Sequence, residues 1–112
     1  MLQPYYTHLY SNLFEFDSLL LNSIFEFISA SPRIIHTANY QPSYDSDVLD
    51  CRNEISPKVD YRVDRQFLPV EYFQTFSNKY GFVPNLSIID LLFNEGLSAI
   101  EIIDASLKRP VE

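Results

Sequence analysis

The sequence predicts an α+β fold that is mainly α, with four to five short-to-medium helices and at most one or two short strands. Three observations predict it. Apolar residues recur at helical spacing in several stretches, whereas Ile34-Ile35-His36-Thr37 alone reads as a β-branched strand. Hydrophobic residues make up 46% and charged residues 21%, which is globular rather than disordered composition. The 112 residues suit a single domain spanning 1–112.

The elements follow in order. Residues 1–12 read as an irregular lead-in, with Pro4 as the possible start of a short helix. Asp17 or Ser18 is the expected N-cap of a helix carrying Leu20, Leu21, Ile24, Phe25, Phe27 and Ile28, which stops near Ser29, before Pro32. The strand candidate Ile34–Thr37 comes next, then a loop over residues 39–46 around Pro42. A helix is expected from Asp47 to about Glu54, and Pro57 opens an irregular stretch to Pro69. Tyr72, Phe73, Phe76 and Tyr80 form a helical stripe expected to face the core and to end at Gly81. Asn85 is the expected cap of a helix apolar around nearly its whole circumference from Leu86 to Phe93, hence buried, with Gly96 ending it. Ser98 and Glu101 have capping-box spacing, and Ile100, Ile103 and Leu107 line a final helix running toward Pro110 and forming a hairpin with its predecessor.

Charge narrows the functional classes. A net charge of −7 argues against nucleic acid as a partner, because phosphate backbones are held by Lys and Arg. Residues 1–50 carry one basic side chain against six acidic ones, and residues 51–112 carry seven against nine, so an anion site belongs in the second half. No apolar run approaches the length of a membrane span, no signal peptide opens the chain, and the single cysteine, Cys51, fits a reducing compartment; the expected location is the cytoplasm.

No catalytic or metal site is legible in the residues alone. Cys51 and His36 are a conceivable thiol and base that nothing places together, and a cysteine in such a pattern is usually a small buried hydrophobe. His8, His36, Cys51, Asp45, Asp47 and Asp50 lack zinc-type spacing, and an EF-hand loop begun at Asp45 has Asp50 where its turn wants Gly, so no metal is expected. Both glycine-rich phosphate cradles are missing, and no cofactor is expected.

Two features are suggestive. Arg52, Lys58, Arg62 and Arg65 lie close together in sequence and suit phosphate or carboxylate, although the interleaved Glu54, Asp60 and Asp64 favour a self-neutralising solvated surface. Asp90 interrupts the apolar run, where a carboxylate needs water, a ligand or a partner, with Arg52 or Lys58 as candidates.

The run Tyr72-Phe-Gln-Thr-Phe76, then Gly81-Phe-Val-Pro-Asn-Leu-Ser-Ile-Ile-Asp-Leu-Leu-Phe-Asn-Glu-Gly96, resembles the C-terminal signature of the WbqC-like protein family. Leu2–Tyr6 with Leu13–Phe16, and Asp50-Cys-Arg52 with Pro57-Lys58, are similar to two further family segments in the same order. The resemblance implies the C-terminal half of such a protein, with the N-terminal half absent. It also implies a place in O-antigen or capsular polysaccharide biosynthesis. Family positions carried over are Asp50, Arg52, Pro57, Lys58, Tyr72, Gln74, Pro84, Asn85, Ser87, Asp90 and Asn94.

Two functions are therefore expected. One is part of a site for a phosphorylated or nucleotide-activated sugar, with Arg52, Lys58, Asn85, Ser87 and Asp90 as ligand-binding residues. In it, the helix start at Asn85 and Ser87 offers donors to an anion. The other is a truncated, non-catalytic module whose exposed apolar face is covered by a protein partner or by a second copy in a homo-oligomer.

Overall fold

The computed structural model describes residues 2–107, so the expected approach of the last helix to Pro110 lies outside the described residues. Among them are five α-helices: α1 (Pro4–Thr7), α2 (Leu13–Phe27), α3 (Ser77–Tyr80), α4 (Ile88–Glu95) and α5 (Ala99–Ala105). Two 3-10 turns, Tyr61–Val63 and Gly96–Ser98, complete the regular structure. The fold is mainly α. No strand forms among the described residues, and the β pairing consists of an isolated antiparallel bridge between Phe67 and Leu107. The chain divides into two compact units, Met1–Ile35 and His36–Glu112.

In the first unit, Pro4 opens α1, where its missing N–H is no loss and its fixed φ already suits a helix. α2 begins at Leu13, before the expected Asp17 or Ser18. The Asn12 side chain accepts from Glu15 N at 2.8 Å, while the Glu15 carboxylate accepts from Ser11 N at 2.8 Å and from Ser11 Oγ at 2.5 Å. This reciprocal cap, close to a capping box, satisfies donors that Asp17 and Ser18, inside the helix, cannot reach. The Ser11 hydroxyl also holds the Glu15 carboxyl below its ordinary range. Tyr5 ties the lead-in to α2: its hydroxyl donates to Leu19 O at 2.7 Å and meets Ser23 Oγ. Its ring packs with those of Tyr10 and Phe16 at centroid separations of 5.9 and 5.8 Å. Ser29 ends the helix in the left-handed region at φ 57°, with Ala30 N bonded to Phe25 O at 2.9 Å.

Two expectations fail in the middle of the chain. Ile34–Thr37 is not assigned as a strand, because β-branched composition alone does not make a strand unless a neighbouring one pairs with it. Asp47–Glu54 is a pair of turns rather than a helix. Val48 N bonds Asp45 O and Glu54 N bonds Cys51 O, while the Asp50 side chain accepts from Arg52 N at 3.1 Å. Short acidic side chains that bond the backbone two residues on compete with helix formation, and exposed Val48 and Leu49 supply no buried face to offset that competition. The same device recurs in the irregular stretch after Pro57, where Asp60 accepts from Arg62 N and Asp64 from Gln66 N.

The later part of the second unit holds a small core. The stripe from Tyr72 to Tyr80 is mostly not helical: residues 71–74 form no regular element, α3 is one turn, and Phe73, Phe76 and Tyr80 are exposed rather than in the core. What is buried there is Gln74. Its Nε2 donates to Val83 O at 2.8 Å and its Oε1 accepts from Val83 N at 2.9 Å, so one side chain pairs with a backbone as a strand would. Gly81 ends α3 at φ 69°, the left-handed value expected of a residue after a helix.

α4 is capped by Ser87, whose Oγ accepts from Ile89 N at 3.2 Å, and not by Asn85, which sits two residues earlier at φ 57°. The helix is not buried on every side: Leu91 and Leu92 are buried, whereas Phe93 is 71% exposed. Gly96 ends it at φ 59° and passes the chain through a 3-10 turn into α5, which packs on α4 as the expected hairpin. That turn already supplies helical backbone at Ser98, so the expected capping box is not made. Ala99 is fully buried where the two helices meet, leaving Ile100 on the outside.

Candidate functional site

A cleft of about 320 Å³ opens in the second unit. One wall is the irregular run Phe67, Pro69, Val70 and Tyr72; another is Phe82 with Asn85–Ile88 and Leu91; the third is Ile102, Ile103, Ser106 and Leu107. The first and third walls are joined by the Phe67–Leu107 bridge and by Leu68 N bonding Ser106 O at 2.8 Å. Tyr72 and Phe82 meet edge to face, with centroids 5.4 Å apart.

Asn85 and Ser87 both line this cleft. Ser87 Oγ accepts the Ile89 N–H, a bond that leaves its own hydroxyl proton uncommitted. Asp90 lies behind the lining. Its Oδ2 accepts from the Tyr72 hydroxyl at 2.6 Å, and Asn94 Nδ2 donates to Asp90 O at 2.8 Å and to Oδ1 at 3.2 Å. The partner of Asp90 is thus a phenol from the opposite wall and not the expected Arg52 or Lys58. Burial, reinforced by the hydrogen bond to Asp90, pushes the Tyr72 hydroxyl above its ordinary pKa, so it stays a donor at neutral pH. Replacing Tyr72 with Phe is expected to lower stability by about 1 kcal/mol, read by thermal or denaturant unfolding.

Arg52 and Lys58 do not line the cleft. Arg52 forks onto Asp50, with Nε 2.9 Å from Oδ1 and NH2 2.5 Å from Oδ2, and gives NH1 to Gln41 O at 2.6 Å. Its guanidinium also lies over the rings of Tyr40 and Tyr44, at 5.6 and 5.1 Å from their centroids. These contacts clamp the loop of residues 40–52. Arg62 pairs with Asp60 at 2.8 Å in the same way, so two of the four clustered cations are neutralised by near neighbours in sequence.

The clamp predicts a pH response. Hydrogen bonds from Arg52 hold the Asp50 carboxyl down at about 2, against an ordinary 3.8. A depressed carboxylate pKa contributes order that is present above 3.8 and lost as pH falls through about 2. The Arg52 Nε–H signal, followed by NMR, is expected to persist at pH 4 and to disappear toward pH 2, and Asp50→Asn to remove it at every pH.

Sequence reasoning placed Asn85 and Ser87 at a helix start but missed the apolar walls. Val70, Phe82, Ile102 and Ile103 carry no chemical signal in isolation. Gln74, a position carried over from the family resemblance, has a structural role here, the clasp on Val83.

Residues 58–102 match the model of the WbqC-like protein family, in agreement with the resemblance read from Tyr72–Gly96. The matched segment contains Tyr72, Gln74, Asn85, Ser87, Asp90 and Asn94, and it includes every cleft residue except Ile103, Ser106 and Leu107. No curated protein and no solved structure matches the chain. Among the described residues no helix is long and apolar enough to cross a membrane.

Proposed function

We propose that this WbqC-like chain acts in the biosynthesis of O-antigen or capsular surface polysaccharide and that its cleft receives the sugar of a phosphorylated or nucleotide-activated sugar. The observation that carries this reading is the coincidence of the family-matched segment with a cleft that has aromatic and aliphatic walls and a polar edge at Asn85 and Ser87. Such a mixture of apolar lining and few polar groups is typical of small-molecule sites. In this reading Asn85 and Ser87 bond sugar hydroxyls, and Asp90 acts through Tyr72 by holding the ring that forms part of the wall. Lys58 supplies charge toward the phosphoryl group. Arg52, most of whose N–H groups serve the loop, assists by keeping that loop ordered.

Calorimetry with a panel of UDP-, dTDP- and GDP-sugars tests the reading. Saturable heat is expected with at least one member, weakened about fivefold to tenfold by Asn85→Ala. No heat with any member would overturn it.

A second reading, a non-catalytic module that packs on a protein partner or on its own copy, is favoured by a different observation. Phe73, Phe76, Phe93 and Leu97 are 65%, 70%, 71% and 76% exposed. They flank segments that are themselves joined, through Phe73 N to Glu95 Oε1 at 3.0 Å and Thr75 Oγ1 to Asn94 Oδ1 at 3.3 Å. Light scattering coupled to size-exclusion chromatography decides self-association. A mass near twice 13.1 kDa supports it, and a monodisperse 13.1 kDa particle speaks against it.

A further inference from the structure

Among the described residues the cleft lining includes no Lys, Arg, Asp or Glu. Its polar side chains are Tyr72, Asn85, Ser87 and Ser106, of which Tyr72 donates to Asp90 and Ser106 to Ile102 O. A diphosphate drawn into such a space exchanges water for too few donors. The anionic part of a nucleotide sugar therefore stays at the rim, where it calls for a cation.

The described cations differ in what they have left to give. Arg52 is forked onto Asp50 and gives NH1 to Gln41 O, Arg62 is paired with Asp60, and Lys79 lies over the Tyr80 ring at 5.1 Å. Arg33 belongs to the first unit. Lys58 and Arg65 remain, both exposed and neither with a side-chain hydrogen bond or ion pair among the described residues. Their places in the chain separate them. Phe67 lines the cleft, and two trans peptide steps keep the Arg65 Cα within about 7.6 Å of the Phe67 Cα. Lys58 stands beyond the 3-10 turn Tyr61–Val63. The segment that carries Arg65 is bonded to the wall: the Tyr61 ring meets Phe67 edge to face with centroids 6.2 Å apart, and Asp64 Oδ1 accepts from Gln66 N at 2.8 Å.

We propose that Arg65 binds the phosphoryl groups of the nucleotide sugar at the rim beside Phe67, its planar guanidinium taking two phosphoryl oxygens while the sugar enters the uncharged interior. This rests on the reading of the cleft as a sugar site and adds to Lys58 a phosphate contact nearer the wall.

Titration calorimetry on the intact chain with UDP-glucose, dTDP-glucose and GDP-mannose tests it. Arg65→Gln is expected to weaken a conjugate that binds by about fivefold to tenfold, and Arg65→Lys to restore part of the loss. Lys58→Gln is expected to cost less than about threefold. Inorganic pyrophosphate, titrated into the ¹⁵N-labelled chain, gives a readout that needs no sugar: saturable amide shifts centred on residues 64–67, lost in Arg65→Gln. Unchanged affinity in Arg65→Gln, a larger loss in Lys58→Gln, or pyrophosphate without effect on residues 64–67 would overturn this inference and leave the sugar site standing. Failure of every conjugate to bind while pyrophosphate still shifts residues 64–67 would overturn the sugar site and leave Arg65 as an anion contact.

Discussion

Leu92→Ala is expected to lower unfolding stability by about 2–5 kcal/mol, the largest effect of any single substitution considered for this chain. Leu92 is 3% exposed, and only Leu91 and Ala99 join it as buried apolar residues among the described residues of the second unit. A core with so few members has little capacity to close over a lost isobutyl group, so the cavity persists and adds to the lost transfer free energy. A domain of ordinary stability, about 5–15 kcal/mol, would lose a large fraction of it. Chemical denaturation followed by circular dichroism measures the shift. Phe93→Ala is the control on the same helix: that ring is 71% exposed, and its removal is expected to change stability by less than about 0.5 kcal/mol.

Gln74→Leu is expected to cost about 2–4 kcal/mol, because it strands one backbone donor and one acceptor of Val83 at about 1–3 kcal/mol each, lessened by the partial exposure of Val83. The residue is 6% exposed, and both its amide atoms are used. Leucine fills nearly the same volume, so the loss reads out hydrogen bonding rather than packing. Gln74→Glu separates the two bonds: a carboxylate still accepts from Val83 N–H but sets a negative oxygen against Val83 O. Stability in Gln74→Glu is therefore expected to recover partly as pH falls and the carboxyl protonates, whereas that of Gln74→Leu shows no such recovery. Amide exchange at Val83, fast in Gln74→Leu but still slowed in Gln74→Glu, locates the damage.

Punctuation and periodicity made part of this structure legible. Gly81 and Gly96 announce helix ends because each stands where a chain must turn through positive φ, and both do so. The last two helices were readable from the near-continuous apolar run of Leu86–Phe93 ended by Gly96 and from the single face of Ile100, Ile103 and Leu107. Elsewhere local signals were decided by partners the sequence does not display. Ile34–Thr37 has strand composition without a second strand, and Asp47–Glu54 loses its helix to the bond between Asp50 and Arg52 N. The start of α2 was misplaced because three residues, Ser11, Asn12 and Glu15, cap it together. At the cleft, Asn85 and Ser87 were legible from polar residues at a helix start. The walls were not, since they join residues as distant in sequence as Phe67 and Leu107, and Asp90 finds its partner in Tyr72 on another wall.

Binding at the cleft is tested most directly by mapping amide chemical-shift changes in the ¹⁵N-labelled chain as a nucleotide sugar is titrated in. Saturable changes confined to residues 64–67, Tyr72, Asn85 through Ile89 and Ile102–Ile103 are the expected result. Changes centred on the exposed loop of residues 40–60, or none at saturating ligand, would contradict a sugar site in this cleft.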